Sequence, residues 1–181
     1  MRYTLKRHPD SLCAAVTDIE VDVTRPRAGS LLLSYVVAGN VGDLLLPAVT
    51  APLRADELWR HTCFEAFIRG APDGGYYELN FAPSTQWAAY QFSGYRTGMR
   101  VATKIEPPKI ETLSTGDRYT LQAALELGEL SPASRWRLGL SAVIEEANGR
   151  KSYWALAHPP GKPDFHHLDC FAAELSPAWP R

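Results

Sequence analysis

Along the chain, apolar and polar residues alternate far more often than they recur at helical spacing. Residues 17–24 (TDIEVDVT) put Ile19, Val21 and Val23 on one side and acids or threonines on the other, the period-two pattern of a half-buried strand. Residues 30–38, 62–69, 76–82, 87–92, 100–106, 119–125, 136–146, 152–157 and 170–175 also read as strands. They are short, rich in β-branched or aromatic residues, and bounded by Gly, Pro, Asn or Asp. About ten strands with little helical periodicity predict an all-β fold, an antiparallel sandwich or barrel. The helix candidates, near residues 55–60 and 128–130, are a turn or so long. With 181 residues, no low-complexity linker and no internal repeat, a single domain over 1–181 is expected.

The stretch 62–92 permits a register to be worked out. Its three candidate strands are joined by Ala71-Pro72-Asp73-Gly74 and Pro83-Ser84-Thr85-Gln86, and a four-residue hairpin loop at each is a common arrangement. The first loop then pairs Ile68 with Tyr77, Ala66 with Leu79 and Phe64 with Phe81. All three pairs are apolar, and a one-residue slip would destroy that. The second loop pairs Ala82 with Trp87, Leu79 with Tyr90 and Tyr77 with Phe92. The opposite face is thereby predicted to carry Cys63, Glu65 and Phe67, then Glu78, Asn80 and Ala82, then Trp87, Ala89 and Gln91. Two carboxyls, two amides and an indole around alanines compose a site for a polyol, with acceptors for hydroxyls and an aromatic face for C–H surfaces. The same residues also suit an ordinary solvated sheet face.

Charge and cysteine usage narrow the picture. Lys and Arg number 19 against 20 Asp and Glu, for a net charge of -1, which argues against nucleic acid or an anionic membrane as a partner held by bulk attraction. Cys13, Cys63 and Cys170 are isolated, without a CxxC or Cys/His ladder, and suit reduced thiols better than a disulfide framework or structural zinc. The basic start is followed only by a short apolar stretch, and no run without a charged residue matches a membrane span of about 20 apolar residues. A cytoplasmic location is the expectation.

It is at the predicted site face that the chain resembles a known family. Residues 58–68 (LWRHTCFEAFI) and 76–84 (YYELNFAPS) are similar to the core of carbohydrate-binding module family 9, in which a tryptophan precedes an acidic residue of the following strand by six positions. The resemblance extends over about residues 10–175 and is specific over 59–90. It implies an antiparallel β-sandwich of the wider DOMON-like type, whose members bind sugars or haem. It also implies that Trp59 is one wall of an aromatic clamp around a sugar, that Glu65 accepts from sugar hydroxyls, and that the second clamp aromatic is Trp154 or Phe165.

The late segment 157–169 (AHPPGKPDFHHLD) holds His158, His166 and His167 beside Lys162 and Asp164. Its prolines and glycine predict an ordered irregular loop, of the kind that carries function on a rigid sandwich. Either it closes over the Glu65–Asn80 row as a lid, or it is a solvated connection. The candidate ligand-binding set is therefore Trp59, His61, Glu65, Glu78, Asn80, Trp87, Lys162, Asp164, His166 and His167. No metal or cofactor is assigned. Three other chemistries stay open: haem held by Met99 and a late histidine, a metal held by His61, Glu65 and a late histidine, and hydrolysis by a Glu65–Glu78 pair. The motifs GxSxG, HExxH, GxxxxGK[ST] and GxGxxG after a strand are absent, so non-catalytic binding of a small polar ligand is the favoured expectation. Oligomeric state is not legible. Trp136 is expected in the core, and Trp179 at the tail on the surface.

Overall fold

The computed structural model describes residues 1–27, 29–70, 74–128 and 135–176. Among them, thirteen strands form two antiparallel sheets. The first sheet runs in the spatial order β1 (Arg2–Thr4), β3 (Val16–Thr24), β4 (Ser30–Gly39), β10 (Arg118–Glu126) and β9 (Lys109–Ser114). The second runs β2 (Lys6–Arg7), β12 (Lys151–Ala155), β11 (Trp136–Glu145), β5 (Cys63–Arg69), β6 (Tyr76–Phe81), β7 (Trp87–Phe92) and β8 (Arg100–Val101), with β13 (Ala173–Leu175) also paired to β11. No helix among the described residues is long and apolar enough to cross a membrane.

The two sheets share one apolar interior because strand alternation drives every second residue inward. Ile19, Val21, Val23, Leu33 and Tyr35 of the first sheet meet Phe64, Ala66, Ile68, Leu79 and Phe81 of the second in one buried cluster. Tyr35 and Tyr119 both contact Phe64, at ring separations of 5.1 and 6.1 Å. The Tyr35 hydroxyl donates to the Glu65 carbonyl at 2.7 Å, so its polar tip is satisfied between the sheets. Trp136 is fully buried there, as its place at the head of an alternating strand suggests.

Where apolar alternation was strong, the predicted strands are present within a residue or two of their bounds. The expected strand at 100–106 shortens to Arg100–Val101, because Ala102 turns on itself through Ile105, whose N–H donates to the Ala102 carbonyl at 3.3 Å. The expected strand at 170–175 divides into a 3-10 turn, Leu168–Cys170, and the short β13. The strands β1, β2 and β9 lie at or beside sheet edges with most residues exposed, and a strand with little to bury leaves little pattern to read. The helix candidate near 55–60 is a 3-10 turn, Leu58–Arg60. Trp179, residues 71–73 of the first hairpin loop and residues 129–130 of the second helix candidate lie outside the described residues.

Pairing of β5 with β6 matches the worked register: Phe64 faces Phe81, Ala66 faces Leu79 and Ile68 faces Tyr77. The next hairpin does not. Trp87 faces Phe81, Ala89 faces Leu79 and Tyr90 faces Glu78, a shift of one residue. The Ala82 N–H donates to the Gln86 carbonyl at 2.9 Å and the Thr85 N–H to the Ala82 carbonyl at 3.0 Å, with Thr85 in the left-handed region at φ 69°. That is a three-residue loop ending on a left-handed residue. Threonine is a rare occupant of this conformation, so the sequence carried no glycine to mark the shorter loop. A one-residue change exchanges the faces of β7: Ala88, Tyr90 and Phe92 stand on the outer face, and Trp87 and Ala89 join the main interior.

Candidate functional site

The outer face of the second sheet is not solvated. Phe67 on β5, Tyr76 on β6, Ala88, Tyr90 and Phe92 on β7, Val143 on β11 and Ala155 on β12 form a second buried cluster with Phe165 and Phe171 from the late segment. The 157–169 segment covers this face, and a cavity of about 390 Å³ remains beneath and beside it. Trp59, Phe92, Tyr153 and Phe165 supply aromatic wall, while Glu65, Glu78, Arg96 and His166 supply polar groups. The size suits a small ligand.

Each side chain has an identifiable support. The Leu58–Arg60 turn follows Glu57, which is held left-handed at φ 59°, and it presents Trp59 edge-on to Tyr90 at 6.0 Å between ring centres. Tyr90 donates to Asp56 at 2.6 Å, and burial and that acid push its phenol up. Glu65 and Glu78 sit on neighbouring strands, where Glu65 pairs with Asn80 and Phe67 with Glu78. The Ser141 hydroxyl donates to Glu65 Oε2 at 3.1 Å and Asn80 Nδ2 donates to Glu78 Oε1 at 2.9 Å. Asn80 Oδ1 is buried without a partner. Such an orphan acceptor is costly.

Electrostatics follow from burial. Glu65 is 2% exposed, and desolvation, with Glu78 beside it, pushes its carboxyl up to about 8. Glu78 is raised as well, chiefly by burial, so the two behave as a coupled pair that keeps a proton near neutral pH. His166 is enclosed by the rings of Phe67, Phe92 and Tyr76 at 5.1, 5.1 and 5.8 Å. Burial, with Arg96 nearby, lowers it to about 4, so the imidazole is neutral.

The Arg96 backbone N–H donates to the Tyr76 hydroxyl at 3.2 Å, and that hydroxyl shares a second hydrogen bond with His166 Nδ1 at 2.7 Å. His166 Nε2 faces Glu78 Oε2 at 3.7 Å. The Arg96 side chain is held by Asp164, with Nε and Nη2 on Oδ1 at 3.2 and 2.8 Å. Asp164 also accepts from the Tyr95 hydroxyl and, at 3.1 Å, from the His166 N–H. Its carboxyl is lowered by those bonds against the opposing effect of burial.

No protein-family model and no curated protein sequence matches the chain. Solved structures do. A candidate carbohydrate-binding protein from Bacteroides uniformis superposes with a TM-score of 0.65 at 11% identity, over 93% of this chain and 83% of that one. A family 9 carbohydrate-binding module from Caldicellulosiruptor kristjanssonii, solved with glucose, superposes with a TM-score of 0.51 at 10% identity, over 87% of this chain and 76% of that one. The fold is that of a family 9-like carbohydrate-binding module.

In this module-like sandwich the predicted site residues divide. Trp59, Glu65, Glu78 and His166 line one cavity, with Asn80 beneath as the partner of Glu78 and Asp164 behind Arg96. Lys162 and His167 line a neighbouring open cleft with Tyr95, Arg96, Pro163 and Asp164, not the cavity itself. His61 stands apart on Glu145 at 2.7 Å with its side chain 62% exposed. Trp87 is a correction: the shorter loop turns its indole into the main interior, where Arg54 lies over the ring at 4.1 Å. Tyr90, expected to point inward, occupies the outer face instead. Of the two candidates for a second clamp aromatic, Phe165 lines the cavity and Trp154 is buried between the sheets.

Sequence reasoning missed Arg96, Phe92, Tyr153 and Ser141 as site residues. Phe92 would have followed from a three-residue second loop. Ser141 and Tyr153 arrive through pairing of β11 with β5 and β12, which leaves no local signal. Arg96 sits at φ 51° in a tight turn between Gly94 and Gly98, without periodicity.

The open alternatives can be tested on geometry. Met99 and His166 both line the cavity, but the imidazole nitrogens are turned to Tyr76 and Glu78. The residues present do not fit an axial haem pair. His61 does not converge with Glu65, and among the described residues no group of three or more His, Cys, Asp or Glu is gathered for a metal.

Proposed function

We propose that the protein binds a small polar ligand, a sugar or the end of a sugar chain, without transforming it. The observation that carries this reading is one cavity of about 390 Å³ with aromatic walls from Trp59, Phe92, Tyr153 and Phe165 over a carboxyl floor from Glu65 and Glu78. Aromatic faces accept the apolar C–H surface of a pyranose, and the carboxyls accept from its hydroxyls. The fold supports the same reading, since a structural neighbour is a module solved with glucose.

Stacking plus a few hydrogen bonds to charged groups, each worth roughly 1.5–3 kcal/mol before binding costs, gives modest affinity, about micromolar or weaker. Calorimetric titration of mono- and disaccharides against wild type and Trp59→Ala tests the proposal. Heat with wild type that is lost in the variant is the expected result. No heat from any sugar, together with turnover of chromogenic glycosides that Glu65→Gln abolishes, would establish a hydrolase instead.

A further inference from the structure

The charges around the cavity do not balance. Glu65 and Glu78, 2% and 5% exposed, have neutral hydrogen-bond partners in Ser141 and Asn80. The guanidinium lining the cavity, Arg96, is already matched by Asp164 at 2.8 Å. His166 is neutral, and Lys162 belongs to the adjacent cleft. Besides Tyr153 of the cavity wall, the titratable groups beside the pair are Cys63 on β5, Tyr76 on β6, Tyr90 on β7 and Tyr35 on β4. Burial raises each of them, which keeps them uncharged.

Hydrogen-bonding capacity is just as one-sided. Asn80 Oδ1 has no partner, and Ser141 and Asn80 each engage one carboxyl oxygen, of Glu65 and Glu78 respectively. The floor is thus crowded with acceptors and short of donors. Four aromatic side chains, from Trp59, Phe92, Tyr153 and Phe165, enclose the space above it, and aromatic faces attract cations. Acceptors, two buried carboxyls whose nearby guanidinium, Arg96, is already engaged by Asp164, and an aromatic enclosure together describe the complement of an ammonium group.

We propose that the ligand carries a protonated amine, as an amino sugar, whose ammonium is received by Glu65 and Glu78. The inference rests on the sugar-binding reading of the same cavity. With the cavity empty, the carboxyl pair retains one proton near neutral pH. When R–NH3+ enters, that proton leaves to solvent and the pair becomes dianionic against the bound cation, so charge and protons balance without another reactant. Arg96 stays on Asp164 throughout.

Calorimetry with glucose, glucosamine, N-acetylglucosamine and butylamine, in buffers of differing ionisation enthalpy, tests this. Glucosamine should bind at least about tenfold tighter than glucose, the equivalent of one pKa unit. It should release about one proton per molecule bound, and N-acetylglucosamine should bind no tighter than glucose. Glu65→Gln and Glu78→Gln should each erase the glucosamine preference and the proton release that accompanies it. Should one variant fail to fold, the other and the wild-type comparison of amine with acetamide decide. Glucosamine binding no tighter than glucose, or without proton release, would overturn the amine and leave sugar binding standing. Butylamine binding with every sugar silent would leave the amine site and overturn the sugar. Silence from all four would overturn both.

Discussion

His166 Nε2 faces Glu78 Oε2 across 3.7 Å, yet the two meet as neighbours in a dry polar cluster rather than as an ion pair. Burial lowers the imidazole to about 4 and raises the carboxyl, so each is driven away from its charged form. The module-like sandwich thus holds its polar groups under an aromatic cover.

A pH dependence of stability follows. A carboxyl raised by folding contributes fully below its ordinary value of 4.5, and that contribution is lost as pH rises toward about 8 for Glu65. A histidine lowered by folding contributes fully above 6.5, and its contribution is lost as pH falls toward about 4. Between the ordinary values the two trends oppose each other. Above pH 6.5 the carboxyls act alone, with a slope of up to about 1.4 kcal/mol per pH unit for each proton. Urea unfolding from pH 5 to 8.5 should show a plateau and then a decline, and Glu65→Gln should flatten the decline.

Trp87 and Trp59 should respond in opposite ways to truncation. Trp87→Ala removes an indole from the main interior and should cost about 3–5 kcal/mol of stability, while the folded fraction keeps its sugar affinity. Trp59→Ala removes a half-buried ring set edge-on to Tyr90 and should cost no more than about 1.5 kcal/mol, yet abolish the sugar heat. Thermal melts and calorimetry on both variants separate them.

The segment over the site is tied down through Asp164, which accepts from Arg96, Tyr95 and the His166 backbone. Asp164→Asn should weaken these bonds by about 1–3 kcal/mol in total. Amide exchange should then accelerate in residues 157–169 while β4 and β10 remain protected, and sugar affinity should fall several-fold. Unchanged exchange in that segment would remove Asp164 from this role.

Gly75 closes the first hairpin against β7. A Cβ there would stand 1.7 Å from the Phe92 carbonyl oxygen, so Gly75→Ala must displace backbone. A loss of about 1–3 kcal/mol or more is expected. Since Tyr76 stacks on Phe92 at 4.8 Å, ligand affinity should fall with it.

Strong local patterns were legible before any coordinates. Alternation placed Ile19, Val21 and Val23 inward, and the apolar pairs Phe64–Phe81 and Ala66–Leu79 determined how β5 meets β6, because one slip would bury polar groups. That register put Glu65 beside Asn80 on the outer face. The acidic, amide-bearing part of the site was therefore predictable from two neighbouring strands and the turn between them.

Tertiary structure decided the rest. A left-handed Thr85 shortened one loop and exchanged Trp87 for Tyr90 on the site face. Ser141, Tyr153 and Arg96 reached the cavity through pairings and turns that leave no periodic trace. The late segment covered the face and removed water from it, which turned ordinary carboxyls into a proton-retaining pair. Local sequence sets which side of a strand a residue takes; desolvation depends on what the distant chain lays over it.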